Sequence, residues 1–309
     1  DVCSSDLHKI HGTKLGDEEI RAAKRAMGAP EDESFYVFPL AREYAAERGK
    51  AWSAARATWS ERYQQWRDRD PGRASELDEW LREGCPRYEQ IAWPTYAIGD
   101  AASTRDVGGQ ALNAAAKAVP NLIGGSADLS TSNKTEMPGL GVYSAQEPAG
   151  RTIRYGVRAH AMASITNGLL LHGGFRPFAA TLFIFVDYMR PAMRLAALME
   201  QPAIYVLTHD SIYLGGDGPT HQAIEHLTSL RIIPNMHVLR PGDPEEAVVA
   251  WQMALERTDG PTCLVMSRQP LPVYPKHDSA WRQSARRGGY IVQDVDDPEV
   301  VLAATGSEV

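Results

Sequence analysis

Beyond Pro94, short apolar runs alternate with amphipathic stretches, and this alternation constrains the fold more than any other feature of the sequence. The candidate strands are Leu122–Ile123, Ala203–Thr208, Met236–Leu239 and Thr262–Ser267. The candidate helices are Gly108–Val119, His160–Leu171, Met189–Met199 and Pro244–Arg257, the last opened by Asp243 as N-cap with Pro244 at its first position. Strands separated by helices pair in parallel, because each crossover helix covers a face of the sheet. The expected fold class is therefore α/β, a mostly parallel sheet flanked by helices. Before Pro94 the chain is charged and rich in Ala, Glu, Arg and Trp. Asp17-Glu18-Glu19 places carboxylates where a helix dipole favours them. From Pro39 to Asp68, Tyr44, Trp52, Ala55, Trp59, Tyr63 and Trp66 recur at three- and four-residue spacing, which predicts a long helix with an aromatic packing seam. A helical connector thus precedes the sheet. Pro272 to Arg287 is polar and turn-rich and reads as a linker, and a second α/β unit is expected from Gly288, with a strand at Val300–Ala304.

Composition narrows the function classes. With 309 residues, 43% of them hydrophobic, the chain can bury a good core. A net charge of −7 and the lack of any long Lys/Arg block argue against a nucleic-acid partner. The most apolar stretch, Ala159 to Leu171, contains His160, Ser164, Thr166 and Asn167 and falls short of the ~20 apolar residues of a span, so no membrane association is expected. Cys3, Cys85 and Cys263 are odd in number and far apart, which suits a reducing cytoplasm better than a disulfide framework or a zinc site.

Three polar clusters fall at the ends of candidate strands or in loops, where open α/β sheets place ligands. They are Gly124-Gly125-Ser126-Ala127-Asp128-Leu129 with Ser132-Asn133, Thr208-His209-Asp210-Ser211 with Asp217-Gly218-Pro219-Thr220-His221-Gln222, and Ser267-Arg268-Gln269. Imidazoles and carboxylates on a shaped loop suit hydroxyl-rich substrates and proton transfer. Arg268, just past an apolar run, suits a phosphate or carboxylate.

Together with His11-Gly12-Thr13-Lys14-Leu15-Gly16 and His172-Gly173-Gly174-Phe175, these motifs resemble, in order and spacing, the thiamine-diphosphate-dependent transketolase family. The resemblance runs from about His11 to the C-terminus. It implies a chain divided at residues 8–93 (end of the diphosphate-binding domain and connector), 94–275 (pyrimidine-binding domain) and 276–309 (linker and start of a C-terminal α/β domain). Residues 1–7 resemble a translated sequencing adapter, and both ends read as truncations. The activity implied is transfer of a two-carbon ketol unit between sugar phosphates by a homodimer. A related ketol transferase resembling dihydroxyacetone synthase, or a non-catalytic partner subunit, are the alternatives.

The resemblance also implies roles for individual residues. His11, His209 and His221 are catalytic, with His11 also beside the cofactor diphosphate. Arg105, Ser132 and Arg268 hold the sugar phosphate, and Asp217 reads a hydroxyl of the acceptor. Phe185 stacks on the aminopyrimidine with Tyr188 nearby, and Asp128 is a cofactor-side acid. Thiamine diphosphate in this family is held through Mg²⁺ or Ca²⁺ by a motif upstream of His11, so no metal ligand is expected among these residues. Two positions depart from the pattern. In Tyr155-Gly156-Val157-Arg158-Ala159-His160, Ala159 stands where the family carries the glutamate that hydrogen-bonds the aminopyrimidine, and Leu182 stands where a second aromatic is common. Losing a positioned acid–base partner costs about 10²–10⁴-fold in rate. Impaired activity is therefore expected of a chain with alanine at this position.

Overall fold

The computed structural model describes Gly12, residues 14–82 and residues 88–309; His11, Cys3 and Cys85 lie outside them. The chain separates into two compact units, Asp1–Ala74 and Ser75–Val309.

In the first unit, α1 (Asp17–Ala26) opens with the three carboxylates, and the Glu19 side chain accepts a hydrogen bond from the Gly16 N–H at 2.9 Å. The long helix α2 (Pro39–Arg69) has Pro39 at its first position, where no N–H is needed. Among the described residues, the packing seam expected along it is not found. Trp52 and Trp59 are 68% and 55% exposed, and the helix has no buried residue. Its aromatics stack along the helix itself, Trp59 on Tyr63 with centroids 4.9 Å apart and Tyr63 on Trp66 at 5.6 Å. Three- and four-residue spacing brings side chains together on one helix as readily as it points them at a neighbour. Helix α3 (Pro71–Trp80) follows.

The second unit contains β1 (Ala101–Ser103), α4 (Thr104–Ala118), β2 (Leu122–Ser126), α5 (Ser130–Asn133), α6 (Ala159–His172), β3 (Arg176–Leu182), α7 (Val186–Leu198) and β4 (Ile204–Thr208). It continues with α8 (His226–Arg231), β5 (His237–Leu239), α9 (Pro244–Glu256), β6 (Thr262–Met266), β7 (Pro270–Pro272) and α10 (Trp281–Arg286). Five strands form a wholly parallel sheet in the order β2-β3-β4-β6-β5. β1 and β7 form a small antiparallel pair. The expected α/β architecture is therefore the observed one.

The period of two along each strand divides the core. Ile204 and Val206 of β4 and Leu264 of β6 enter one apolar cluster with α4 and α9, around Trp251 and Phe178. Tyr205 and Leu207 of β4 and Val265 of β6 enter a second cluster with α6, α7 and Leu230 of α8. Helices cover both faces, which is why β4 and β6 read as nearly continuous apolar runs and every residue of β2 and β3 is buried as well. Full burial of a side chain such as Leu112 or Ile204 contributes about 1.5–3 kcal/mol. Asp243 caps α9 as expected, its carboxylate accepting from the Glu246 N–H at 2.8 Å.

One expectation near the C-terminus is corrected. The stretch expected to be a linker contains α10 and is pinned to the start of α9, where the buried Lys276 side chain pairs with Asp243 and Glu245. Val300–Ala304 is not a strand. Val300, Val301 and Leu302 are exposed and lie in no sheet, because a β-branched run becomes a strand only beside a partner ladder. Among the described residues, no helix is long and apolar enough to cross a membrane.

Candidate active site

Two buried side chains join the start of α4 to the end of β6. The Thr104 N–H donates to Ser267 Oγ at 3.0 Å, and the Ser267 N–H donates to Thr104 Oγ1 at 2.7 Å. A further bond runs from the Arg105 N–H to the Ser267 carbonyl at 3.3 Å. Arg105 and Arg268, each the next residue along, therefore leave this junction side by side at the carboxyl edge of the sheet. Burial and the like charge of Arg268 lower the Arg105 guanidinium below its ordinary pKa, although Asp106 and Asp217 oppose the shift. Two cations held together in this way favour an anion between them.

His209 follows the last residue of β4 and is 3% exposed. Its Nε2 lies 3.5 Å from Arg105 Nη1, and its Nδ1 lies 2.9 Å from Thr208 Oγ1. Thr208 Oγ1 accepts from Asn133 Nδ2 at 2.6 Å, and Asn133 Oδ1 accepts from Ser126 Oγ at 2.6 Å. A guanidinium only donates, so the tautomer that satisfies this chain carries its proton on Nδ1 and turns the Nε2 lone pair toward Arg105. Burial, Arg105 and Arg268 push the imidazole down to about 4, against the opposing effect of Asp217. His209 is therefore neutral at pH 7. The unfolded imidazole takes its proton near pH 6.5, so stability is full above that value and falls as pH drops toward 4.

The other expected residues divide into three groups. Ser132 lies beside the arginines, its carbonyl accepting from Arg105 Nη1 at 3.0 Å. Asp217 reaches Arg268 at 4.0 Å from a loop shaped by Gly215 and Gly218 at φ 94° and 81°. Arg268 Nη1 also donates to the Leu214 carbonyl. A second group is aromatic. Phe185 meets the His221 ring edge-to-face at 5.5 Å and lies 6.4 Å from the exposed Tyr188, while Thr220 Oγ1 contacts His221 Nδ1 at 2.9 Å. His221 is the last and smallest of the charges that lower the His209 imidazole. Asp128 is exposed, adopts φ 63°, and lines a cavity of about 420 Å³ with Ser130, Met137 and Arg154.

Ala159 is the first residue of α6 and packs, half-buried, against the apolar cluster on that face; no acidic residue lies in the first turn. Leu182 is buried at the end of β3. Thr208, Asn133 and Ser126 were legible as motif members, but their function as a relay that orients His209 was not. Arg240, buried beside Asp210, gave no sequence signal beyond a cation after a short strand. Asp187, Glu225 and His226 bring possible metal-ligand atoms within 4.8 Å of one another, but both carboxylates are exposed, and such groups commonly occur without an ion. We assign no metal there.

This structure defines an α/β domain in which a cationic group, Arg105 and Arg268 with His209, gathers beyond the carboxyl ends of β4 and β6, and an aromatic group forms around Phe185 and His221. Family comparisons specify the class further. The family described as the transketolase pyrimidine-binding domain matches residues 100–273, and the transketolase thiamine diphosphate-binding domain matches residues 3–86. Transketolase from Treponema pallidum is 42% identical over 306 residues, covering 97% of this chain and 46% of that protein. Transketolase from Geobacillus stearothermophilus is 43% identical over 303 residues, covering 97% and 45%. The crystal structure of the Pichia stipitis transketolase complex with sedoheptulose-7-phosphate superposes with a TM-score of 0.82 at 36% identity, covering 96% of this chain and 44% of that one. The chain belongs to the transketolase family. It spans a little under half the length of these relatives.

Proposed function

We propose that this chain provides the pyrimidine-binding and sugar-phosphate-binding part of a transketolase, an enzyme that moves a two-carbon ketol unit from a ketose phosphate to an aldose phosphate in the pentose phosphate pathway. The observation that carries this reading is the pairing of Arg105 and Arg268 beside a buried, neutral His209. The sugar phosphate bound by the Pichia stipitis relative supports it.

In this reading the two guanidinia hold the phosphate, with Ser132 alongside. His209 Nε2, unprotonated at neutral pH, takes a proton from a sugar hydroxyl, and His221 serves the same transfer. Asp217 accepts from an acceptor hydroxyl. The half-buried Phe185 ring, walled by Tyr188 and His221, fits a planar aminopyrimidine. Thiamine diphosphate bound there supplies the electron sink for cutting and remaking a carbon–carbon bond. The aromatic wall suits that group, whereas Ala159 offers it no hydrogen bond. His11 and Asp128 are assigned to the cofactor side, and Mg²⁺ or Ca²⁺ to the diphosphate. The domain boundaries at residues 8–93, 94–275 and 276–309, a homodimer and a cytoplasmic setting complete the proposal. Ala159 specifically favours a second reading, a non-catalytic partner subunit that keeps the sugar pocket.

Isothermal titration of the 309-residue chain with ribose 5-phosphate tests the pocket. Arg105→Gln and Arg268→Gln should each weaken binding about 10–100-fold, the usual effect of losing a hydrogen bond to a charged group. Equal affinity in the wild-type chain and both variants would refute the phosphate assignment.

A further inference from the structure

His209 is not a glycine, yet its backbone lies in the left-handed region at φ 65°. An L-residue stays in that region only where its surroundings over-determine it, and such outliers gather at functional sites. On one side, Thr208 belongs to β4 and holds the imidazole Nδ1. On the other side, Asp210 is tied into a buried ionic knot. Arg240, just past the end of β5 with 6% of its side chain exposed, reaches Asp210 Oδ2 from Nε at 3.0 Å and from Nη2 at 2.8 Å. The remaining face of the guanidinium is taken up by the segment Thr305–Glu308. Nη1 donates to the Thr305 carbonyl at 3.0 Å and to Glu308 Oε2, and Nη2 donates to Ser307 Oγ at 3.2 Å and Glu308 Oε1 at 2.8 Å. Ser307 Oγ closes the ring by donating to Asp210 Oδ2 at 3.0 Å. The approach of this segment depends on Gly306 at φ 64°, where a Cβ would lie 2.6 Å from Arg240 Cγ and Nε.

We infer that this Asp210–Arg240 pair, clasped by Thr305–Glu308, is a positioning device that fixes His209 against the phosphate-binding arginines and so couples the C-terminal segment to the sugar pocket. The inference rests on the proposed reading of that pocket. Asp210 and Arg240 make no hydrogen bond or ion pair with Arg105; they act through the backbone of His209. The charged and titratable groups facing His209 are Arg105, Arg268, Asp217 and His221, and the clasp keeps the imidazole within their reach.

The test is the His209 titration, followed by NMR in the isotope-labelled 309-residue chain. Asp210→Ala and the double variant Ser307→Ala, Glu308→Gln should raise the His209 pKa from about 4 by at least about one unit, as the ring leaves its buried cationic setting. A purely structural salt bridge would lower the melting temperature and leave that titration in place. If Asp210→Ala does not fold, the double variant decides, because Glu308 is 41% exposed and its change leaves Asp210 and Arg240 intact. An unshifted His209 titration in a folded variant overturns the inference. A shift in variants of a chain that binds no ribose 5-phosphate would uphold the clasp and remove the proposed function instead.

Discussion

Ala159→Glu is expected to raise ketol-transfer turnover by about 10²–10⁴-fold when this chain is completed with the remaining sequence of a transketolase relative and assayed with xylulose 5-phosphate and ribose 5-phosphate. The position suits an acid on physical grounds. It is the first residue of α6, whose first turn holds no carboxylate, so an acid there meets no like charge along the helix. It is also half-buried against apolar neighbours, an environment that favours a carboxyl group able to keep its proton and share it with a ring nitrogen. Ala159→Gln fills the same space with a hydrogen-bonding amide that cannot exchange a proton in this way. It should recover only a small part of the rate. Should the glutamate variant fail to turn over while ribose 5-phosphate still binds through Arg105 and Arg268, the non-catalytic partner reading replaces the catalytic one.

Gly125→Ala should destabilise the fold by about 3–5 kcal/mol, among the largest effects available to one added methyl group. Gly125 lies inside β2, fully buried, and its Cβ would fall 1.9 Å from the Ile153 carbonyl oxygen. That oxygen belongs to a neighbouring backbone that passes over the strand, with the Ile153 N–H donating to the Gly124 carbonyl at 2.7 Å, so relief requires moving main chain. Gly124 is similarly confined, its Cβ position lying 2.2 Å from the Phe178 carbonyl oxygen. The same substitution at Gly168 should act in the opposite sense. Gly168 is exposed within α6 and its Cβ would meet nothing within 4 Å, so Gly168→Ala should stabilise by about 0.5–1 kcal/mol. Urea unfolding midpoints measure both. A Gly125→Ala midpoint equal to wild type would contradict the packing described for β2.

These glycines also mark a limit of sequence reading. Gly124-Gly125 suggests turn chemistry, but both are strand residues selected for close approach of backbone, which a linear sequence does not reveal. Strand β3 was missed for a related reason. Pro177 and the preceding Gly173-Gly174 are breaker signals, yet Pro177 lies near the start of an interior strand, where the loss of one N–H is tolerated. By contrast, β4, β6 and α9 were legible because their signals are local: β-branched runs, and Asp243-Pro244 at a helix start. Among the candidate site residues, Arg105, Arg268, His209 and Asp217 each carry a local signal in the sequence. Their convergence depends on the Thr104–Ser267 junction, across 163 residues of sequence, and the clasp on Arg240 depends on contacts equally remote.

The measurement that bears most directly on the pocket is the NMR titration of His209, free and saturated with ribose 5-phosphate. In the free chain the imidazole should titrate at about 4, because it is buried among Arg105 and Arg268. With the sugar phosphate bound, its pKa should rise, since a dianion between the arginines favours the imidazolium. A free value near ~6.5, the ordinary one for an exposed histidine, with no response to the ligand would contradict the site as described.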